Sequence, residues 1–323
     1  MSTITGVIEF VKKSGRPVRI QTHNFPDHDA VASAYGLQQL LLTRGLEAQI
    51  VYEGEVQRDS LKQMIAELSI AIRAAAAAEL AQDDLIIVVD GCKGNKNVTD
   101  LVGEEIAVID HHEVQCPEDV RFCDIRPDHG ACATIIQSYY AELGETPAGG
   151  VATALMAGIC MDTALLTRGV SEADIQAYAD LFPLADVGLL NSILRNYIQT
   201  KDLSFYRYAL EHVEIRDGLA FCHFPEGCNQ NLLGVLGDFF LALREISFVV
   251  LCARNDSVIN LSVRNERSGV NAAQAIQEVL QGMGFGGGHA DMAGGIIKDP
   301  LLFHPEKVQN KFRAVLQSQG HPA

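Results

Sequence analysis

No apolar run in this chain approaches the roughly 18 residues a membrane-spanning helix needs; the longest, such as LIIVVD and FVVLCA, are strand-sized. The N-terminus, MSTITGVIEFVKK, lacks the apolar core of a signal peptide, so a cytoplasmic protein with no membrane partner is expected. There is no C-x-x-C pair. Eight cysteines lie at irregular spacing, several inside apolar runs (Cys132, Cys160, Cys252), which predicts reduced, packed thiols in place of a disulfide framework or a structural zinc site. Basic charge is also scarce: 25 Lys and Arg against 41 Asp and Glu leave a formal net charge of -16. Such a chain repels a polyanion at long range, which argues against long duplex nucleic acid as a partner. Small phosphorylated ligands stay open if bound cations supply the missing positive charge.

What is present is an ordinary globular composition, 48% hydrophobic over 323 residues, long enough for about two domains. The first part alternates as α/β: PVRIQTH as a strand, AVASAYGLQQLLLTRG as a helix closed by Gly45, EAQIVYE as a strand. Residues 58 to 82 read as one helix, with the run Ala74 to Ala78 adding helix propensity. DLIIVVD and EIAVID follow, two apolar runs that each stop at an aspartate, as buried parallel strands do. Helices are expected over 130 to 161 and 171 to 214, punctuated by Gly149-Gly150 and Pro183. From about 218 the pattern changes to LAFCHF, a helix at 230 to 244, a hairpin of SFVVLCA and VINLSVR around Asn255-Asp256, a helix at 270 to 281, a glycine-rich stretch and a final helix. With no internal repeat and no long flexible linker, the expected fold is an N-terminal, doubly wound, mainly parallel sheet (1–195), a helical connector (196–217) and a smaller C-terminal α/β domain (218–323).

Four places carry acid and imidazole together: His23, Asp27 and Asp29 after the first strand; Asp90 ending LIIVVD; Asp110, His111 and His112 ending EIAVID; and Asp162 ending ALMAGICMD. Each has a structural explanation when taken singly. Asp29 suits a helix N-cap, Asp90 before Gly91 suits a turn, and Asp162 suits a solvated helix end. The pair His111-His112 is harder to explain so, because adjacent histidines at a buried strand end leave several polar atoms in need of partners. Parallel strands bring their C-terminal ends to one edge, where ligands gather. Five aspartates there repel unless cations neutralise them, and oxygen ligands mixed with imidazole suit Mn²⁺ or Mg²⁺ more than structural zinc.

HNFPDHDA, VVDG, IDHH and GICMDT, in that order and spacing, resemble the four motifs of the DHH phosphoesterase superfamily. SVRNERSGVNAAQAIQEVLQGMGFGGGHADMAGG resembles its partner domain, DHHA1, which ends in a G-G-G-H segment. The resemblance implies two divalent ions, Mn²⁺ first with Mg²⁺ or Co²⁺ as alternatives, and an active site in the cleft between the two domains. One ion would be held by His23, Asp27 and Asp90, the other by Asp29, Asp90, His111 and Asp162, with Asp90 bridging. A hydroxide shared by the ions would be the nucleophile, His112 would meet the phosphate or leaving oxygen, and Asp110 would orient a neighbouring imidazole. Arg264 and His289 would hold a substrate phosphate, with the backbone of Gly286, Gly287 and Gly288 approaching it.

Two positions depart from the family: His28 stands where a small residue is common, and Phe285 where relatives often carry a first glycine. The former offers a further phosphate contact or an altered loop backbone, the latter an aromatic wall for a base. GMGFGG (282 to 287) formally satisfies G-x-G-x-x-G, but it follows a predicted helix where a dinucleotide site requires a strand, so no Rossmann cofactor is expected. His129 and Arg126, in DIRPDHGACAT, precede a helix whose N-terminus faces the expected metals; Arg126 reads as an exposed loop residue. His223, His304 and His321 belong to no constellation.

The resemblance implies a metal-dependent phosphoesterase of small nucleotides, nearest the group of nanoRNases and 3'-phosphoadenosine 5'-phosphate phosphatases, with oligoribonucleotides, linear dinucleotides, 3'-phosphoadenosine 5'-phosphate or cyclic dinucleotides as substrates. A long-strand exonuclease of the RecJ type would carry further domains and a basic channel. An exopolyphosphatase or pyrophosphate hydrolase is the alternative within the chemistry, and a catalytically silent nucleotide sensor the alternative outside it. A homodimer is left open.

Overall fold

The computed structural model describes residues 3–195, 198–255 and 257–319. The chain divides into two compact units, Met1–Tyr197 and Ile198–Ala323.

The first unit opens with α1 (Thr3–Ser14), β1 (Val18–Gln21), α2 (His28–Thr43), β2 (Ala48–Tyr52), α3 (Asp59–Glu67) and β3 (Ile72–Ala74). It continues with β4 (Leu85–Val89), β5 (Glu104–Asp110), β6 (Phe122–Ile125), α4 (Cys132–Leu143), α5 (Gly149–Asp162), α6 (Glu172–Leu181) and α7 (Val187–Arg195). Its six strands pair in parallel throughout, in the order β3-β2-β1-β4-β5-β6, the order of a doubly wound sheet. Strand order reverses between β1 and β4, the position at which sheets of this type gather ligands outside the carboxyl ends of their strands. Alternate strand residues Ile20, Ile87, Val89 and Ile109 share one apolar core with Leu37, Ile136 and Leu155 from α2, α4 and α5. The intervening Ile86, Val88 and Val108 pack with Cys92, Val98 and Val120, which lie on connecting segments.

The second unit holds α8 (Leu203–His212), β7 (Glu214–Arg216), β8 (Leu219–Phe224), α9 (Gln230–Leu241), β9 (Phe248–Asn255) and β10 (Val258–Asn265). α10 (Ala272–Leu280), β11 (Phe285–Gly288), β12 (Met292–Ile297) and α11 (Pro305–Gln319) complete it. Its sheet runs β11-β12-β10-β9-β8-β7 and is antiparallel except between β8 and β9. Two-residue alternation sorts its faces: Val249 and Leu251 pack with Leu233, Leu236 and Phe240 of α9, whereas Val250 and Cys252 join Ile276, Val279 and Phe312 of α10 and α11. The β9–β10 hairpin forms as expected, with Asn255 opposite Val258; Asp256 and His321 lie outside the described residues. Among the described residues no helix is long and apolar enough to cross a membrane.

Two expectations are corrected, and one segment left without an assigned element is placed. Residues 58 to 82 do not form one helix: α3 ends at Glu67, Ser69 takes a left-handed φ of 51°, and β3 pairs with β2 as the sheet edge, Ile50 opposite Ile72. Of the alanine run only Ala74 joins that edge, opposite Tyr52, and Ala75–Ala77 make a single 3₁₀ turn; a propensity advantage under about 1 kcal/mol per residue does not by itself propagate a helix. The glycine-rich stretch is the edge strand β11, with Gly286 opposite Gly295 and Gly287 opposite Gly294. Finally, Cys116, on the connection between β5 and β6, and Cys123 of β6, with Cα atoms 6.1 Å apart, form a disulfide that closes a short loop. The other six cysteines are buried and free, as packed thiols.

Candidate metal centre

The site grows from three strand exits and one helix end. The chain leaves β1 through His23, whose Nδ1–H donates to the Asn24 carbonyl over 2.9 Å, so that Nε2 faces Asp27 and Asp90 at 3.7 and 3.6 Å. Asp27 is also the N-cap of α2, its Oδ1 accepting from the N–H groups of Asp29 and Ala30 at 3.1 and 3.2 Å. Asp90 follows β4 directly and is buried in a left-handed conformation (φ 53°), one that aspartate tolerates better than most residues.

His111 is the hub on the other side. Its Nδ1–H donates to the His129 carbonyl at 3.2 Å, leaving Nε2 3.3 Å from Asp90, 3.4 Å from Asp162 and 3.9 Å from Asp29. Asp162 arrives from the last residue of α5, and Gly158 one turn earlier makes the approach possible: a Cβ there would sit 2.8 Å from Asp29 Oδ1. Asp29, fully buried, accepts from the first N–H groups of α4, Cys132 at 2.6 Å and Ala133 at 2.9 Å. His112 Nδ1–H donates to Asp110 Oδ1 at 2.8 Å.

The charges are unbalanced. Burial opposes ionisation of His111, yet the carboxylates of Asp162 and Asp90 push it up to about 12; at His23, Asp27 and Asp90 outweigh burial and push it up to about 10. Burial, then the charges of Asp90 and Asp162, hold Asp29 well above the usual carboxylate range, and burial with Asp27 raises Asp162. Asp27 and Asp90 go down despite burial, drawn by His23 and His111. The cluster therefore demands positive charge. Asp90 Oδ1 and His111 Nε2 are buried and have no hydrogen-bond partner among the described residues, as open ligand positions would. Three groups of ligand atoms each lie within 4.8 Å of one another: His23, Asp27 and Asp90; Asp29, His111 and Asp162; and Asp90, His111 and His112. The donors are carboxylate and imidazole without thiolate, which fits a hard or borderline divalent cation.

The carboxylate and imidazole residues expected as ligands in the first unit thus lie together, whereas His28 and His129 do not join them. His28 is fully buried and turns to Ser60, its Nε2 3.0 Å from the hydroxyl, while burial and the nearby Arg58 lower it to about 3. His129 contributes its carbonyl to His111, and its ring lies 3.2 Å from Asp128. Arg126 is not an exposed loop residue: it forms a two-pronged pair with Asp124 at 2.8 Å and donates to Ser138.

In the second unit, Arg264 donates through Nε to Asp238 at 2.6 Å and through Nη1 to Ser262 and Val263, and Nη2 lies against Gly234 of α9. His289 is exposed just beyond β11, its N–H donating to the Met292 carbonyl. Gly286 has no room for a side chain beside Ile276, and Gly288 (φ 144°) none beside Met292, whereas Gly287 is open. Phe285 is 68% exposed, with Lys298 Nζ 5.9 Å from its ring centre.

Residues 17–159 match the DHH family N-terminal domain, and residues 217–319 match the DHHA1 domain. The chain belongs to the DHH/DHHA1 phosphoesterase superfamily. This DHH chain is 31% identical over 278 residues to the uncharacterized protein MJ1633 of Methanocaldococcus jannaschii, covering 86% of the chain and 57% of that protein. It is 26% identical over 314 residues to the cyclic-di-AMP phosphodiesterase PdeA of Listeria monocytogenes, covering 90% of the chain and 46% of that protein. The chain therefore spans about half the length of these curated relatives. The crystal structure of an exopolyphosphatase-related protein from Bacteroides fragilis shares the fold, with a TM-score of 0.79 at 17% identity over 97% of this chain and 96% of that one.

Sequence reasoning missed Asp174, a fully buried carboxylate that accepts from the Gly130 N–H at 2.8 Å and from the Thr134 hydroxyl. Its signal, the S-x-x-D of a capping box at Ser171, announces only the start of α6.

Proposed function

We propose that the chain is a phosphoesterase dependent on two divalent ions, Mn²⁺ foremost, that hydrolyses small phosphorylated nucleotides. The observation that carries this is the adjacency of two ligand groups, His23 with Asp27 and Asp90, and Asp29 with His111 and Asp162, across an Asp90 that lies 3.6 Å from His23 and 3.3 Å from His111. His23, Asp27 and Asp90 would hold one ion; Asp29, His111 and Asp162 the other, with Asp90 shared. Ions so held supply Lewis acidity and lower the pKa of a bound water. The chain's own residues do the rest. His112, its Nδ1–H committed to Asp110 and its pKa raised against burial by Asp110 and Asp90, presents Nε2–H as the donor of an imidazolium toward a phosphoryl or leaving oxygen. Arg264, steadied by Asp238, and the edge-strand backbone at Gly287 with His289 would bind substrate phosphate.

The acidic balance of -16 favours short substrates over long nucleic acid, and the relationship to a cyclic-di-AMP phosphodiesterase favours dinucleotides within that class. The test is a substrate panel with Mn²⁺ against chelator: linear and cyclic dinucleotides, longer RNA, 3'-phosphoadenosine 5'-phosphate and polyphosphate. Chelator-sensitive turnover of a dinucleotide or 3'-phosphoadenosine 5'-phosphate is expected. Turnover of polyphosphate alone would replace the substrate class, and binding of a nucleotide without turnover would replace the enzyme with a sensor.

A further inference from the structure

The geometry points to Asp174 as a positioning residue for the metal ligands. The inference rests on the metal-site reading above, because it concerns how His111 and Asp29 are held. Residues 129–133 touch both. The His129 carbonyl accepts from His111 Nδ1–H, and the Cys132 and Ala133 N–H groups donate to the two oxygens of Asp29. Where this segment sits therefore decides where His111 Nε2 and the Asp29 carboxylate point.

Asp174 grips the same segment. Its Oδ2 accepts from the Gly130 N–H at 2.8 Å and from the Ser171 N–H and hydroxyl, both at 2.7 Å, while Oδ1 accepts from the Thr134 hydroxyl. Gly130 and Thr134 bracket the donors that reach Asp29. Gly130 is packed without slack: a Cβ there would meet Gly169 O and Thr163 Cγ2 at 2.6 Å and Asp174 Oδ2 at 2.7 Å. Thr163 directly follows Asp162, so the turn that delivers Asp162 is wedged against the same glycine. A fully buried carboxylate with four donors is costly to bury and costly to perturb, and an amide in its place cannot accept from all of them. Asp174 thereby ties α6 to the segment that orients two of the proposed ligands, the outer contact on which ligand geometry depends.

Asp174→Asn in the full chain tests this, with Asp84→Asn as control: Asp84 is an equally buried, ion-paired carboxylate at the far end of β4, bonded to Arg19. Two readouts are needed: Mn²⁺ affinity by titration calorimetry, and hydrogen exchange of the Cys132 and Ala133 amides in the metal-free protein. Asp174→Asn is expected to weaken Mn²⁺ binding about 10- to 100-fold and to speed exchange at both amides about tenfold, with Asp84→Asn matching wild type in both. Wild-type exchange at Cys132 and Ala133 in a folded Asp174→Asn protein overturns the inference, as does an equal effect of Asp84→Asn. If Asp174→Asn fails to fold, Thr134→Val removes one donor isosterically; it should speed the same exchange several-fold, and no change would overturn the inference. The exchange readout stands without metal. A wild-type protein that binds no Mn²⁺ would therefore defeat the metal reading while leaving the positioning role separately testable.

Discussion

His112 donates its Nδ1–H to Asp110 Oδ1 over 2.8 Å, and its backbone N–H meets the same oxygen at 3.2 Å, so one buried carboxylate fixes both the tautomer and the orientation of the ring. Asp110→Asn offers a weaker acceptor and loses the charge that, against burial, raises the His112 pKa. We predict that kcat falls about 10- to 100-fold while Mn²⁺ affinity changes less than about threefold. Steady-state kinetics beside calorimetry check this; parallel losses in both would make Asp110 a support for the ligands instead.

Asp27 has two jobs that substitutions can separate. Asparagine keeps the N-cap of α2 but removes the negative charge; alanine removes both. Both variants should lose more than nine-tenths of turnover, and only Asp27→Ala should lose about 1 kcal/mol of stability, a few degrees in Tm. Thermal melts in chelator decide between them.

His28 sits between two proposed ligands and is predicted not to bind metal. His28→Ala deletes a buried ring and its contact with Ser60, which should cost about 2 kcal/mol or more in stability and leave Mn²⁺ affinity within about threefold of wild type. A loss of affinity matching that of His23→Ala would show that His28 reaches the ions.

Gly287 is the glycine of β11 with open space at its Cβ, while Gly286 and Gly288 are required by packing and backbone. Gly287→Ala should fold normally and raise KM about tenfold with kcat little changed, if its backbone approaches a phosphate. An unchanged KM would remove β11 from the substrate site.

Asp124 accepts from Arg126 and Tyr139, and these partners hold its pKa below the usual range against burial. A depressed carboxylate contributes stability above its unfolded pKa, near 4, that is lost as pH falls through the folded value. Asp124→Asn should therefore lower Tm at pH 7 and flatten the decline of Tm below about pH 4. A decline as steep as that of wild type would show that other carboxylates govern acid unfolding.

The parallel sheet and its site were legible because apolar runs ending in aspartate report both a buried strand and the edge where it stops; Asp90 and Asp110 stand where those runs predicted. His23, Asp27, Asp29, His111 and Asp162 were legible as chemistry, since so many acids and imidazoles at strand and helix ends have few apolar uses. The edge strand β3 was not, because Ile72 to Ala74 carry helix-forming neighbours and only pairing with Ile50 to Tyr52 makes them a strand. The Cys116–Cys123 bond was hidden because a seven-residue spacing carries no disulfide pattern; only the path of the connection into β6 brings the two Cα atoms to 6.1 Å.

Sequence alone thus determined which residues carry the charge and at which strand ends they stand, because hydrophobic period and residue type are local properties. Tertiary structure decided their partners. His28 turned to Ser60, the His129 carbonyl reached His111, and Asp174 came to grip Gly130 across 44 residues of chain, since hydrogen bonds between distant segments depend on where packed helices and loops bring them together.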